Sequence, residues 1–108
     1  MNLAVSKTSR VFKAVLTTKG RKTGKEHSVE LLAVLYNEKI YFSRHKPDGD
    51  WFQNASKNPD VRINFDDKQL VGKASIVTDD QLARKISELK YPGEERAKEK
   101  RVVLEVTV

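Results

Sequence analysis

Between two stretches rich in apolar and β-branched residues lies Thr17-Thr18-Lys19-Gly20-Arg21-Lys22-Thr23-Gly24-Lys25, a basic loop punctuated by two glycines. Glycine adopts positive φ without steric penalty, so the pair allows successive amide N–H groups to converge on an anion, while arginine and lysine add charge-assisted bonds to phosphate oxygens. The chemistry is that of an oxyanion cradle. It is not a nucleotide-hydrolysing P-loop: the glycines stand one residue too close, Glu26 occupies the place where Ser or Thr would hold magnesium, and no helix is expected to follow. The bland alternative is an exposed turn whose charges keep the chain soluble.

Other chemistry-bearing residues are sparse. Trp51 is the single tryptophan, set on a short amphipathic stretch where it would anchor a core or stack beside a ring. Asn54 would bond a ligand or sit on the surface, and Asn58 before Pro59 reads as a helix stop. His27, beside Glu26, could titrate near a bound phosphate, and His45 in Arg44-His45-Lys46 could donate a proton, although both read first as surface residues. No nucleophile is paired with a base, a pattern compatible with a reaction whose difficult chemistry is carried by a cofactor. There is no cysteine and the two histidines lie far apart, so no disulfide framework and no metal site is expected.

The charge is unevenly placed. Lys7, Arg10, Lys13, Lys19, Arg21, Lys22 and Lys25 precede one acid, Glu26, and this excess equals the whole net charge of +6. An anionic partner near the first strand and its loop is therefore expected. With 108 residues, 38% hydrophobic and 33% charged, residues 1–108 suit a single domain with one core. No apolar run resembles an export signal or a membrane span, so a cytoplasmic location is expected.

The elements that must position the loop follow from periodicity. Val11 to Thr18 reads as a strand with Phe12, Ala14 and Leu16 on one side, and Ser28 to Tyr36 as a second whose centre, Leu31 to Leu35, is apolar on both faces. Asn37-Glu38 turns into a third, Lys39 to Ser43; Arg44 to Gly49 is a loop; and Asp50 caps a short helix with Trp51, Phe52 and Ala55 inward. Val61 to Phe65, a turn at Asp66-Asp67, and Lys68 to Val77 with Gly72 as a bulge make a second hairpin. Thr78 to Gln81 forms a capping box ahead of a helix with Leu82, Ile86 and Leu89 in the core, ending at Tyr91-Pro92-Gly93; after a charged run from Glu94 to Arg101, Val102 to Val108 closes the fold. Long hairpins with few crossover helices indicate a mainly β fold, a small barrel with peripheral helices.

The run VFKAVLTTKGRKTGKEHSVELLAVL, the hairpin strand ending in Ser43, and DWFQNASKNPDVRI together resemble the deazaflavin-dependent nitroreductase family of flavin and deazaflavin oxidoreductases, relatives of the pyridoxamine phosphate oxidase-like, FMN-binding split barrels. The likeness runs from about Val11 to Val77. It implies a split β-barrel that binds coenzyme F420, an 8-hydroxy-5-deazaflavin with a phosphate and an oligoglutamate tail, and transfers a hydride to a small electrophile. It assigns the phosphate to Arg21, Lys22, Thr23, Gly24 and Lys25, the ring to Ser43 and Arg44, and the region beside the ring to Trp51 and Asn54. A homodimer is expected, because such barrels leave apolar strand surface uncovered and the two-faced run Leu31 to Leu35 is of that kind. Three alternatives stand beside this reading: an FMN-binding member of the same fold; a protein that carries or stores the cofactor without turnover; and, from another class, a small nucleic-acid-binding barrel, against which counts the lack of interleaved exposed aromatics.

Overall fold

The computed structural model describes residues 10–20, 22–44, 50–94 and 102–108, with Asp50 described in its backbone alone. The elements in chain order are β1 (Arg10–Lys19), β2 (Glu26–Tyr36), β3 (Lys39–Arg44), α1 (Asp50–Lys57), β4 (Asp60–Phe65), β5 (Lys68–Ile76), α2 (Asp80–Lys90) and β6 (Val102–Thr107). The strands pair antiparallel and close into a barrel in the order β1-β2-β3-β6-β5-β4. This is the barrel with two peripheral helices expected from the hairpin pattern, in the split-barrel form that the resemblance implies.

Alternation along the strands builds the interior. Ala14 and Leu16 of β1, Ala33 of β2, Ile40 and Phe42 of β3, Val61 and Ile63 of β4, Ala74 of β5 and Leu104 and Val106 of β6 are buried together, and Phe52 and Ala55 of α1 join them from one end. Fully burying side chains of this size contributes about 1.5–3 kcal/mol each, so the core alone dictates which face of each strand turns inward.

A second cluster lies outside the barrel. Val34, Tyr41 and Val103 are buried against Ala83 and Ile86 of α2, with Leu82 and Leu89 packed beside them. Successive residues of β2 therefore face two different cores, Ala33 the barrel and Val34 the helix. Of the apolar run Leu31 to Leu35, the outward Val34 is thus covered by α2, while Leu32 is part-exposed and packs in neither cluster.

Local chemistry sets the boundaries, with three corrections. Asp79, not Thr78, caps α2, accepting from the amides of Gln81 and Leu82. Asp50 is the first helical residue of α1, not its cap. Gly72 forms no bulge, since the β4–β5 ladder runs unbroken from Asp60↔Lys73 to Phe65↔Lys68. A Cβ at Gly72 would stand 2.7 Å from the Thr107 carbonyl oxygen and 2.8 Å from Val106 Cγ1, so glycine is there to let β5 approach β6.

The hairpin turns Asn37-Glu38 and Asp66-Asp67 have positive φ at both positions, 54° and 69°, and 46° and 61°. Two-residue turns of this kind carry the twist of the flanking strands. Both turns lie at one pole of the barrel, near an apolar cavity of about 260 Å³ lined by Phe12, Leu35, Ile40, Phe65, Leu70 and Val108. The β1–β2 loop, the end of β3, α1 and the start of β4 lie at the opposite pole, here called the mouth.

Candidate functional site

The register leaves a gap at the mouth. β2 pairs with β1 over its whole length from Lys19↔Glu26 to Arg10↔Leu35, but with β3 only at Val34, Leu35 and Tyr36. Beyond Tyr41, β3 continues along β6 instead, through Phe42↔Leu104, Ser43↔Val103 and Arg44↔Val102. The edge of β2 from Glu26 to Ala33 therefore has no strand partner on its β3 side among the described residues. The result is a seam that opens toward the mouth, with the basic loop at its head.

The loop is held by its own backbone. Gly24 donates to the Gly20 carbonyl at 2.9 Å, Gly20 donates to the Lys25 carbonyl at 2.7 Å, and the Lys25 amide faces Thr23 Oγ1 at 3.3 Å. Gly24 has φ of 74° and uses the freedom of glycine, whereas Gly20 serves close approach: a Cβ there would meet Thr23 Oγ1 at 3.1 Å and His27 Nε2 at 3.2 Å. This corrects the expectation of a nest built on two glycines, because one has positive φ and both glycine amides are spent inside the turn. What the loop presents outward is side chains: Lys22, Thr23 and Lys25 are exposed. Arg21, the remaining cation proposed for the loop, lies outside the described residues, as does His45.

Asn58 anchors the loop from outside, donating to the carbonyls of Lys19 at 3.4 Å and Gly20 at 3.3 Å. As a helix stop it was legible in the sequence; as a tie between α1 and the loop it was not. Glu26, the acid nearest the loop, is drawn to Arg62 of β4 through two bonds of 3.1 and 3.2 Å. That guanidinium holds the Glu26 carboxyl below the usual carboxylate range. Its negative charge is thereby offset beside the loop.

The spread of the basic surplus differs from the expectation. β1 is extended, and at about 3.4 Å per residue Arg10 stands roughly 30 Å from Lys19. Arg10 pairs with Asp66 at 3.1 Å at the far pole. Lys7 is outside the described residues and Lys13 lies partway along the strand. Of the described cations in that surplus, Lys19, Lys22 and Lys25 share the mouth, whereas Arg10 does not.

The other lip of the seam is the end of β3. The Val103 carbonyl is spent on the Val77 amide at 2.9 Å, away from β3. The Ser43–Val103 pair is accordingly of the non-hydrogen-bonded kind, in which the backbone groups of both residues point outward from the pair. Ser43 N–H and C=O therefore face the seam, while its side chain, 5% exposed, turns under α2. Lys90, from the last turn of α2, donates to the Ser43 carbonyl and to Ser43 Oγ, both at 3.2 Å. Nothing in the sequence pointed to this lysine, 47 residues from its partner.

α1 covers the mouth. Trp51 is half-buried, its ring meeting Phe42 and Phe52 edge-on at 6.3 and 5.8 Å. Asn54 is 3% exposed and turns its amide to Thr18 Oγ1 at 3.5 Å. Arg44, the last residue of β3, is half-buried next to Ser43. The fold thus gathers Lys22, Thr23, Gly24, Lys25, Ser43, Arg44, Trp51 and Asn54 at one pole, with the backbone of Ser43, not its hydroxyl, aimed into the seam.

A family model described as F420H(2)-dependent quinone reductase matches residues 4–108. The chain belongs to that family. Deazaflavin- or flavin-linked reduction is the general activity this membership carries. Among solved structures, one described as an F420-H2 dependent reductase shares 26% identity at a TM-score of 0.69, covering 87% of this chain and 92% of that one. Another, described as a domain-swapped dimer, shares 26% identity at a TM-score of 0.70, covering 87% and 78%. A pyridoxamine 5'-phosphate oxidase-like protein from Listeria innocua, at 19% identity and a TM-score of 0.69 over 88% and 82% of the two chains, shares the fold. No curated protein matches the chain. Among the described residues no helix is long and apolar enough to cross a membrane.

Proposed function

We propose that the chain binds coenzyme F420 at the mouth and serves as a reductase that delivers a hydride to a small electrophile such as a quinone, an activated alkene or a nitro compound. The observation that carries the reading is the coincidence, at one pole, of a cationic loop with an open backbone seam. Lys22, Thr23 and Lys25 supply donors and positive charge suited to a phosphate, with Lys19 beside them and Arg21 in the same loop. The Ser43 amide offers a backbone donor within the seam, and Trp51 closes its inner side with an apolar surface that excludes water. When bound, the deazaflavin supplies the carbon that gives up the hydride. The protein's part is to bind the polyanionic ligand by its phosphate, to orient the ring by backbone contacts and to keep the seam dry.

The test is a titration of the purified protein with coenzyme F420 and with FMN, read by absorbance and calorimetry, followed by oxidation of the reduced coenzyme in the presence of a soluble quinone. Tight binding of the deazaflavin with quinone-dependent loss of its reduced form supports the proposal; preference for FMN establishes the alternative cofactor. Failure to bind either sinks the assignment. A nucleic-acid-binding role is disfavoured by the placement of the aromatics: Phe42 is fully buried, and Phe12 and Phe65 pack on each other with ring centroids 4.7 Å apart. Assembly as a homodimer in the cytoplasm remains part of the proposal. The domain-swapped dimer among the similar structures supports the pairing, and light scattering tests it.

A further inference from the structure

The contact between Lys90 and Ser43 lies at the seam and has no part in the cofactor reading, on which the inference drawn from it rests. Ser43 directs its carbonyl toward the gap between β2 and β3, where a strand would otherwise supply an N–H. An unmet carbonyl there would be costly to bury. Lys90 meets it with an ammonium, bonded also to Ser43 Oγ and standing 5.3 Å from the Tyr91 ring centroid. Nothing in the ladder requires a charge for this task, since an asparagine or a water would satisfy a carbonyl. A cation is placed here, half-buried, at the C-terminus of α2, where the helix dipole favours it.

We propose that Lys90 is a positioning residue whose charge, fixed on the outer lip of the seam, stabilises negative charge on the flavin-like ring held there. Its two bonds to Ser43 keep the end of β3 in place, so that the Ser43 amide is presented to the ligand. The ammonium remains close enough to that backbone to act through space on an anionic ring. Arg44, the last residue of β3, is a neighbouring cation. The specific consequence is electrostatic: the 8-hydroxyl of bound, oxidised coenzyme F420 ionises more readily than that of the free coenzyme.

The experiment follows the absorbance of coenzyme F420 bound to the full chain as pH is varied, in wild type, Lys90→Met and Lys90→Arg. Wild type should show the hydroxyl ionising at lower pH than in free coenzyme. Lys90→Met should raise that midpoint by about one pH unit, equivalent to about a tenfold change in the ionisation equilibrium, and Lys90→Arg should restore most of the shift. If Lys90 serves structure alone, Lys90→Met will weaken binding or lower the melting temperature with the bound midpoint unchanged, and the inference is overturned. It is overturned equally if Lys90→Arg behaves like Lys90→Met. Absence of coenzyme binding by wild type would overturn the cofactor assignment and this inference together, whereas normal binding with an immobile midpoint overturns the inference alone.

Discussion

Replacing Lys22 and Lys25 together by alanine separates the loop's charge from its shape. The turn is closed by main-chain bonds, Gly24 to Gly20 and Gly20 to Lys25, which truncation of the side chains leaves intact. Both lysines are exposed, so their contribution to stability is within about 0.5 kcal/mol and the melting temperature should move by no more than about 3 °C. A charge-assisted bond to phosphate contributes on the order of 1.5 to 3 kcal/mol; solvent at the loop favours the lower figure, giving about 3 kcal/mol for the pair. That corresponds to roughly a hundredfold rise in dissociation constant for coenzyme F420. Calorimetric titration of both proteins with the coenzyme and with a deazaflavin lacking phosphate and tail gives the four constants required. Affinity should fall steeply for the first ligand and hardly at all for the second. Equal losses for the two ligands, or a fall of more than about 10 °C in melting temperature, would refute a phosphate site built on these side chains.

Three further outcomes are expected. Gly72→Ala drives a methyl into the Thr107 carbonyl and should destabilise the protein by about 2 to 3 kcal/mol, lowering the melting temperature by roughly 10 °C or more; a shift under about 3 °C would show that β5 and β6 yield freely. Coenzyme binding should quench the fluorescence of Trp51, the single tryptophan, and unchanged emission at saturation would place the ring away from α1. Tyr41 donates to Glu105 at 2.9 Å, and burial followed by that carboxylate raises its phenol above the ordinary value near 10. The folded state thus holds the proton more tightly than the unfolded chain, so the stabilisation is complete below about pH 10 and is lost as pH rises beyond it. Urea midpoints should therefore fall more steeply above about pH 10 in wild type than in Tyr41→Phe, and parallel curves would exclude the linkage.

The succession of elements, the hairpin turns and the inward face of β1 were legible because alternation and turn residues act locally: Ala14 and Leu16 are buried where a period of two placed them, and Asn37-Glu38 and Asp66-Asp67 turn where polar pairs interrupt apolar runs. The basic loop was legible for the same reason, as a contiguous string of residues. What escaped were relations set by pairing across the chain. Nothing local showed that α2 would fold over Val34 on the outer face of β2. Gly72 looked like a bulge because its neighbour, Thr107, is remote in sequence. The basic surplus looked concentrated because a strand is long in space and short in a list of letters. Asn58 and Lys90 acquire their tasks through carbonyls of Lys19, Gly20 and Ser43, and a main-chain acceptor has no signature in residue type.

The separation of the two poles bears on how such a chain diversifies. The turns that fix the register, Asn37-Glu38 and Asp66-Asp67, stand at one end of the barrel, and the loop, the seam and α1 stand at the other. With the ligand bound at the mouth, as proposed, inherited changes there alter what is recognised without disturbing the turns that register the strands. Changes at the opposite turns then shift the margin of stability without altering recognition. Lineages descending from one such barrel can therefore exchange ligands by drift at one pole while the other supplies the tolerance that lets the drift proceed.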